Sequence, residues 1–246
     1  MVPPGTSIYR HRLATRVWHW VNALAIFILL GSGMMISNAH KRLYWGKFGA
    51  NFDYAWFEPP AFPGWITIPA NYNLALGRRW HLFFALVFAL SLLAYMIASL
   101  INRHFQRDLR LRLAEFRPAE VWADLKAHLV FRFHDPAHPA AYNIFQKASY
   151  ALVLFGLFPL VIATGLTLSP GMNAAWPWLL DLFGGRQSAR SIHFLAAAGI
   201  GLFAIVHLVL VILAGTWNEI VSMITGRWRV PPVPAEIAAP MPEPAE

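Results

Sequence analysis

Four stretches of this chain carry no Asp, Glu, Lys or Arg: residues 17–40, 80–102, 148–180 and 191–218. Each holds about 20 predominantly apolar residues, the length that crosses a hydrocarbon core of roughly 30 Å as a helix. A backbone in hydrocarbon must satisfy its own N–H and C=O groups, so only helices and closed barrels can cross. The runs are continuous rather than alternating, which selects helices over barrel strands. Four spans are predicted, near residues 15–37, 79–101, 148–169 and 191–215. The composition agrees, with 57% hydrophobic and 13% charged residues among 246. The first run is too long for the apolar part of a cleaved signal, so the first span is read as its own insertion signal.

The net charge of +8 raises the possibility of a nucleic-acid partner, but its placement speaks for topology instead. Thirteen basic residues fall on the N-terminal segment, the connection 103–147 and Arg227 and Arg229. Seven fall on the other side: Lys41, Arg42, Lys47, Arg78, Arg79, Arg186 and Arg190. The bias puts both termini in the cytoplasm of a bacterial inner membrane. No nucleic-acid partner is expected. The absence of cysteine excludes iron–sulfur clusters, thiolate-ligated haem and covalently attached haem. Any metal or cofactor must be held by nitrogen or oxygen.

Four histidines lie inside the apolar stretches. Two of them, His193 and His207, share the last one, fourteen residues apart. Fourteen residues rise about 21 Å and fall about 40° short of four full turns, so both imidazoles leave one face of one helix at two depths. His81 stands at the outer end of its span and His19 at the inner end of its own. His81 therefore pairs with His193, and His19 with His207. An intramembrane ionisable residue is functional unless an interhelical hydrogen bond accounts for it, and four at matching depths fit two stacked bis-histidine haems. Iron with both axial positions filled transfers electrons. Between His193 and His207 the face reads Ala196, Ala197, Ile200, Gly201, Ala204, small enough for a macrocycle or for close helix packing. Gly31, Gly33 and Gly165 offer room at the outer level. Arg16, Arg79, Arg190 and Lys147 stand at span ends, either as propionate partners or as ordinary basic termini. No Asp or Glu interrupts the spans, which argues against an ion pump or proton-coupled transporter.

The remaining histidines, among them His11, His104, His134 and His138, fall in loops or segment ends and are read as solvated. The connection 103–146 should carry a short helix from Pro118, with Val121, Trp122, Leu125 and Leu129 on a face resting on membrane lipid. Residues 217–224 are expected to continue the last helix. Residues 37–77 form a long outer loop rich in aromatics, including Trp45, Trp56 and Trp65. Two readings stand for it: a belt at headgroup level, or a lid and docking surface for a periplasmic partner. Residues 1–230 then form one transmembrane domain, and the Pro/Ala/Glu tail 231–246 is expected to be disordered. No internal repeat is evident.

The pieces Arg16-Val-Trp-His-Trp20, Arg79-Trp-His81 and Arg190-Ser-Ile-His193 with His207 resemble the bacterial di-haem cytochrome b family. That family includes the membrane subunits of nickel–iron hydrogenases, formate dehydrogenases and thiosulfate reductases. The resemblance covers roughly residues 8–230. It implies an all-α membrane protein: a four-helix transmembrane bundle holding two stacked b haems, with a long periplasmic loop and short interfacial helices. It implies that His19 and His207 ligate the inner haem iron and His81 and His193 the outer. The outer loop, with residues 168–178 and 183–188, is similar to a branch that accompanies periplasmic molybdenum-cofactor (molybdopterin) oxidoreductases. Such members pass electrons between a catalytic partner and the membrane quinone pool; a quinone pocket is expected near Asn143 and Lys147. The alternative is a free-standing enzyme such as a superoxide:quinone oxidoreductase.

Overall fold

The computed structural model describes residues 3, 5–50, 52–130 and 142–231. Most of the tail 231–246, together with His134 and His138, lies outside the described residues. The elements run β1 (Ser7–Tyr9), α1 (Leu13–Ala39), α2 (Leu74–Ile101), α3 (His104–Asp108) and α4 (Pro118–Leu129). They continue α5 (Ile144–Ala151), α6 (Phe158–Leu168), α7 (Pro170–Ala175), α8 (Pro177–Leu182), α9 (Arg186–Leu213), α10 (Thr216–Thr225) and β2 (Arg227–Arg229). Four helical segments are long and apolar enough to cross a membrane: α1, α2, the run Ile144–Leu168 through α5 and α6, and α9.

All four begin earlier than hydropathy indicates, at Leu13, Leu74, Ile144 and Arg186. Local chemistry explains two of these starts. The Asn73 side chain accepts from Leu76 N–H, and Asn143 accepts from Gln146 N–H in a reciprocal capping box. These caps satisfy donors that the first helical turn leaves open. Helix and hydrocarbon therefore begin at different residues. Within the third span, Leu152–Leu157 widens into a π-helical turn. Pro159 follows; it has no N–H to offer and its ring crowds the carbonyl a turn behind, which the wider turn accommodates.

Helix α1 packs along α2, and α6 along α9. Between them sits a core of Ala25, Phe88, Leu92, Tyr95, Val153, Phe158 and Ile200, with Trp18 stacked on Tyr95 at 4.0 Å. Large apolar side chains such as Phe27, Phe83, Leu86, Leu90, Ile205 and Ile212 point outward. This surface suits lipid, where no water penalises exposed apolar area.

The end bearing both termini is closed by a clasp. Residues 217–224 do not extend α9: Gly215, at φ 104°, turns the chain into a separate α10, a conformation open to glycine. Strands β1 and β2 pair antiparallel, Ile8 opposite Trp228. Trp228 is only 1% exposed; its Nε1–H donates to Glu219 at 2.8 Å. Arg10 lies over the Trp228 ring at 4.9 Å and pairs with Glu219 at 3.6 Å. Two histidines read as solvated are not so. His104 is buried, and His11 is half-buried beneath the clasp. Sequence position hides this: His104 packs beside Tyr95 and Phe105, and His11 lies against Gly226 at the clasp.

Burial, then the charges of Arg10, His19, His104 and Arg16, push His11 down to about 4. A released segment would titrate near 6.5. Between these values only the released state binds the proton, so the clasp is at full strength above pH 6.5 and weakens as pH falls toward 4. The full loss is roughly 3 kcal/mol. Hydrogen-exchange protection of the β1 amides, corrected for intrinsic rates, should fall between pH 7 and pH 5. His11→Gln should flatten that dependence, and Trp228→Ala should remove the protection at every pH.

Candidate functional site

The four intramembrane histidines meet in two pairs. At the end bearing the long loop, His81 of α2 and His193 of α9 have ring centroids 6.2 Å apart with planes at 64°. At the terminal end, His19 of α1 and His207 of α9 stand at 6.3 Å and 63°. Among the described residues no hydrogen bond joins the rings of either pair. Two imidazoles bonded through nitrogen at about 2 Å to an ion between them would place their centroids about 6.3 Å apart. Both pairs match that spacing.

Each level offers two protein ligands, and no group of three or more metal-binding side chains occurs among the described residues. Two opposed imidazoles do not complete a coordination shell alone. They suit an iron whose other four positions belong to a planar macrocycle. The residues present therefore fit a haem at each level.

At the loop end Nδ1 of both rings is engaged, which favours Nε2 as the ligating nitrogen. Ser32 Oγ–H donates to Ile28 O at 2.6 Å, so its oxygen accepts from His81 Nδ1–H at 3.0 Å. Thr164 Oγ1–H donates to Leu160 O at 2.7 Å and accepts from His193 Nδ1–H at 3.0 Å. Both hydroxyl residues are fully buried. In each ring Nε2 keeps its lone pair for a metal. Glycine follows each hydroxyl residue, and the histidine lies against it. A Cβ on Gly33 would meet His81 Cε1 at 3.5 Å, and one on Gly165 would meet His193 Cε1 at 3.3 Å. Sequence reasoning singled out these glycines but missed Ser32 and Thr164. The available signal was the repeated hydroxyl–glycine step on two spans.

The terminal end is arranged differently. His19 Nδ1, Trp18 Nε1 and both polar atoms of Asn22 are buried without a hydrogen-bond partner. Of the basic residues considered for propionates, Arg16 donates to Ile224 O and Arg190 to His40 O. Lys147 is engaged with Glu115 at 2.7 Å, and Asn143 caps α5. Both side chains considered for the quinone pocket are thus already engaged within the protein. Arg79 is exposed beside Trp80 and makes no hydrogen bond or ion pair among the described residues. Midway along α9, a Cβ on Gly201 would touch Leu30 at 3.9 Å, and Ala196 and Ile200 are buried. That part of the small-residue stripe serves helix packing.

The long loop is anchored to the bundle. Ile68 N–H donates to Gly31 O at 3.1 Å, and the Asn38 side chain bonds both backbone groups of Phe62 at 2.8 Å. Ser191 Oγ–H donates to Tyr44 O at 2.7 Å while accepting from Trp56 Nε1–H at 3.0 Å. Gln187 and Ser188 N–H groups both donate to Gly46 O. The loop thus covers the start of α9, two residues from His193. Its outer face exposes Phe48, Phe52, Tyr54, Trp65 and Tyr72.

The profile of the prokaryotic cytochrome b561 family matches residues 10–226. The chain is 26% identical over 242 residues to a protein of Cupriavidus necator named as a Ni/Fe-hydrogenase B-type cytochrome subunit, covering 92% of this chain and 89% of that one. It is 27% identical over 216 residues to a protein of Azospira oryzae named as the YedZ1 subunit of a protein-methionine-sulfoxide reductase, covering 86% and 93%. A Ni/Fe-hydrogenase B-type cytochrome subunit of Azotobacter vinelandii is 24% identical over 238 residues, covering 92% and 89%. No solved structure matches the chain.

Ser191 holds two strands of the loop at once. Ser191→Ala should orphan the Trp56 N–H and the Tyr44 carbonyl, costing about 1–3 kcal/mol locally. Limited chymotrypsin digestion should cut the loop faster in this variant, with helical circular dichroism unchanged.

Proposed function

The chain belongs to the prokaryotic cytochrome b561 family, and from that premise we propose that it is a di-haem b-type cytochrome. In this reading His19 and His207 hold one haem iron and His81 and His193 the other. The carrying observation is the pair of imidazole separations, 6.2 and 6.3 Å, each suited to an ion between two nitrogens. A b-type haem held by two imidazoles supplies a one-electron carrier with no open position for oxygen. The chain's own part is to hold two such carriers at two levels of a membrane, in a bundle whose described spans contain no acidic residue.

The proposed role is electron transfer between the quinone pool and a redox enzyme docked at the loop end. The relatives named as subunits of a hydrogenase and of a methionine-sulfoxide reductase support a catalytic partner; a periplasmic molybdopterin oxidoreductase is the finer form of the reading. The basic-residue count supports an inner-membrane location with both termini cytoplasmic. Quinone is assigned to the terminal end. Support comes from the partnerless polar atoms of Trp18, His19 and Asn22 there, which retain capacity to bond a guest. The anchored loop favours docking over a headgroup belt. Its aromatics Phe48, Phe52, Trp65 and Tyr72 are 69–103% exposed on a segment already fixed by hydrogen bonds, the kind of rigid apolar surface that interfaces use.

The pyridine haemochrome assay should return two b haems per chain. His19→Ala and His207→Ala should remove one and the same haem, and His81→Ala and His193→Ala the other. Grouping of His19 with His193 would overturn the assignment.

Trp45, Trp56 and Trp65 replaced by Ala should abolish transfer from the partner while both haems and quinone-to-haem transfer remain. Survival of both transfers would leave the free-standing quinone oxidoreductase as the better reading.

A further inference from the structure

The loop-end histidines are held by one device used twice. On α1 the step Ser32-Gly33 faces His81 of α2; on α6 the step Thr164-Gly165 faces His193 of α9. In each case the hydroxyl donates to the carbonyl four residues back on its own helix, at 2.6 or 2.7 Å. Its oxygen is then oriented to accept from Nδ1–H at 3.0 Å. The glycine beside it lets the Cε1–Nδ1 edge of the ring come close to the helix. Nothing comparable serves the terminal end. There His19 Nδ1 is buried without a partner, and His207 makes no hydrogen bond among the described residues.

A hydroxyl mid-helix can bond its own backbone without any distant purpose. Here the same oxygen also stands within reach of the N–H of the ligating imidazole, beside the backbone carbonyl of Leu29 for His81 and of Val161 for His193. Fixing that proton on Nδ1 directs the Nε2 lone pair toward the facing ring. It also sets the ring's rotation, because the ring must point its Nδ1 at a side chain that cannot move. We propose that Ser32 and Thr164 are positioning residues. They fix the tautomer and orientation of His81 and His193 and strengthen electron donation from both rings to the iron at the loop end, while leaving the terminal-end site untouched. This inference rests on the di-haem reading above.

A bond from Nδ1–H raises the basicity of a ligating imidazole. A more basic ligand favours the oxidised ion, so each hydroxyl lowers the midpoint potential of the loop-end haem. The test uses the full chain in membranes or detergent, with Thr164→Val, Thr164→Ser and Ser32→Ala. Thr164→Val keeps the shape and removes the hydroxyl; Thr164→Ser keeps the hydroxyl and removes the methyl. Low-temperature electron paramagnetic resonance and a potentiometric titration of the haem bands give the readouts.

Thr164→Val and Ser32→Ala should change the low-spin ferric signal of the loop-end haem and raise its potential. They should also weaken its retention, by roughly ten- to a hundredfold as for other groups that orient metal ligands. The terminal-end signal should stay as in the wild type, and Thr164→Ser should behave as wild type. An unchanged loop-end signal and potential in both hydroxyl-free variants would overturn the proposal. So would parallel loss of both haems, which would mark the hydroxyls as packing groups of the bundle, or a Thr164→Ser variant altered as much as Thr164→Val. His81→Ala separates the two levels of inference. If it leaves the loop-end signal in place, the ligand assignment fails. If it removes that signal while Thr164→Val changes nothing, only the positioning role fails.

Discussion

Helix α9 sets the geometry on which the rest depends. It carries His193 and His207 fourteen residues apart, and helical rise places them about 21 Å apart along one face. No other segment holds two of the four histidines, so every partner must be brought to one of these two levels. Helix α1 brings His19 to the lower level and α2 brings His81 to the upper. Both pairs close to nearly the same separation and interplanar angle. Two sets of rings from different helix combinations would have no reason to agree so closely if each merely filled space. The agreement is what the proposed haem between each pair requires.

How the rings are oriented follows from where they sit. Many metal-binding histidines hand their second N–H to a carboxylate. A carboxylate deep in a hydrocarbon layer is costly to keep charged. The loop end uses hydroxyls instead. Ser32 and Thr164 are neutral, and each satisfies its own hydrogen through the backbone of its helix. The arrangement thus adds no charge to the bundle interior. It also demands close contact, which is why Gly33 and Gly165 stand beside the hydroxyls and a Cβ at either would touch a histidine ring.

The four spans and the pairing of the histidines were legible in the sequence, because hydropathy and helical periodicity act along one chain. Helix starts were less so. The apolar runs report the width of the hydrocarbon, whereas Asn73 and Asn143 begin their helices in polar surroundings beyond it. Contacts between distant segments left no linear trace. The β1–β2 clasp joins residues more than two hundred positions apart. It buries Trp228 and half-covers His11, which reads as a solvated side chain until the C-terminal strand is in place. Lys147 looked available for a cofactor, but Glu115, thirty-two residues earlier, occupies it. The hydroxyl–glycine steps were visible as letters and carried no meaning until the histidines facing them were known.

The two ends of the bundle differ in how completely their polar atoms are satisfied. At the loop end His81 and His193 are bonded, Ser191 serves Trp56 and Tyr44, and the loop is tied to α1 and α9 by backbone bonds. Such bonds hold the loop against the helices. At the terminal end, Trp18 Nε1, His19 Nδ1 and the amide of Asn22 are buried and unbonded. A native fold tolerates few such atoms, because each costs about 1–3 kcal/mol when left bare. Several at one level next to a histidine pair leave hydrogen-bonding capacity for the quinone proposed at that end. The histidines of one end are thus bonded by neighbouring side chains, while the other leaves polar atoms bare beneath its clasp. That division suits the proposed reading, in which a redox enzyme docks at one end and a quinone at the other.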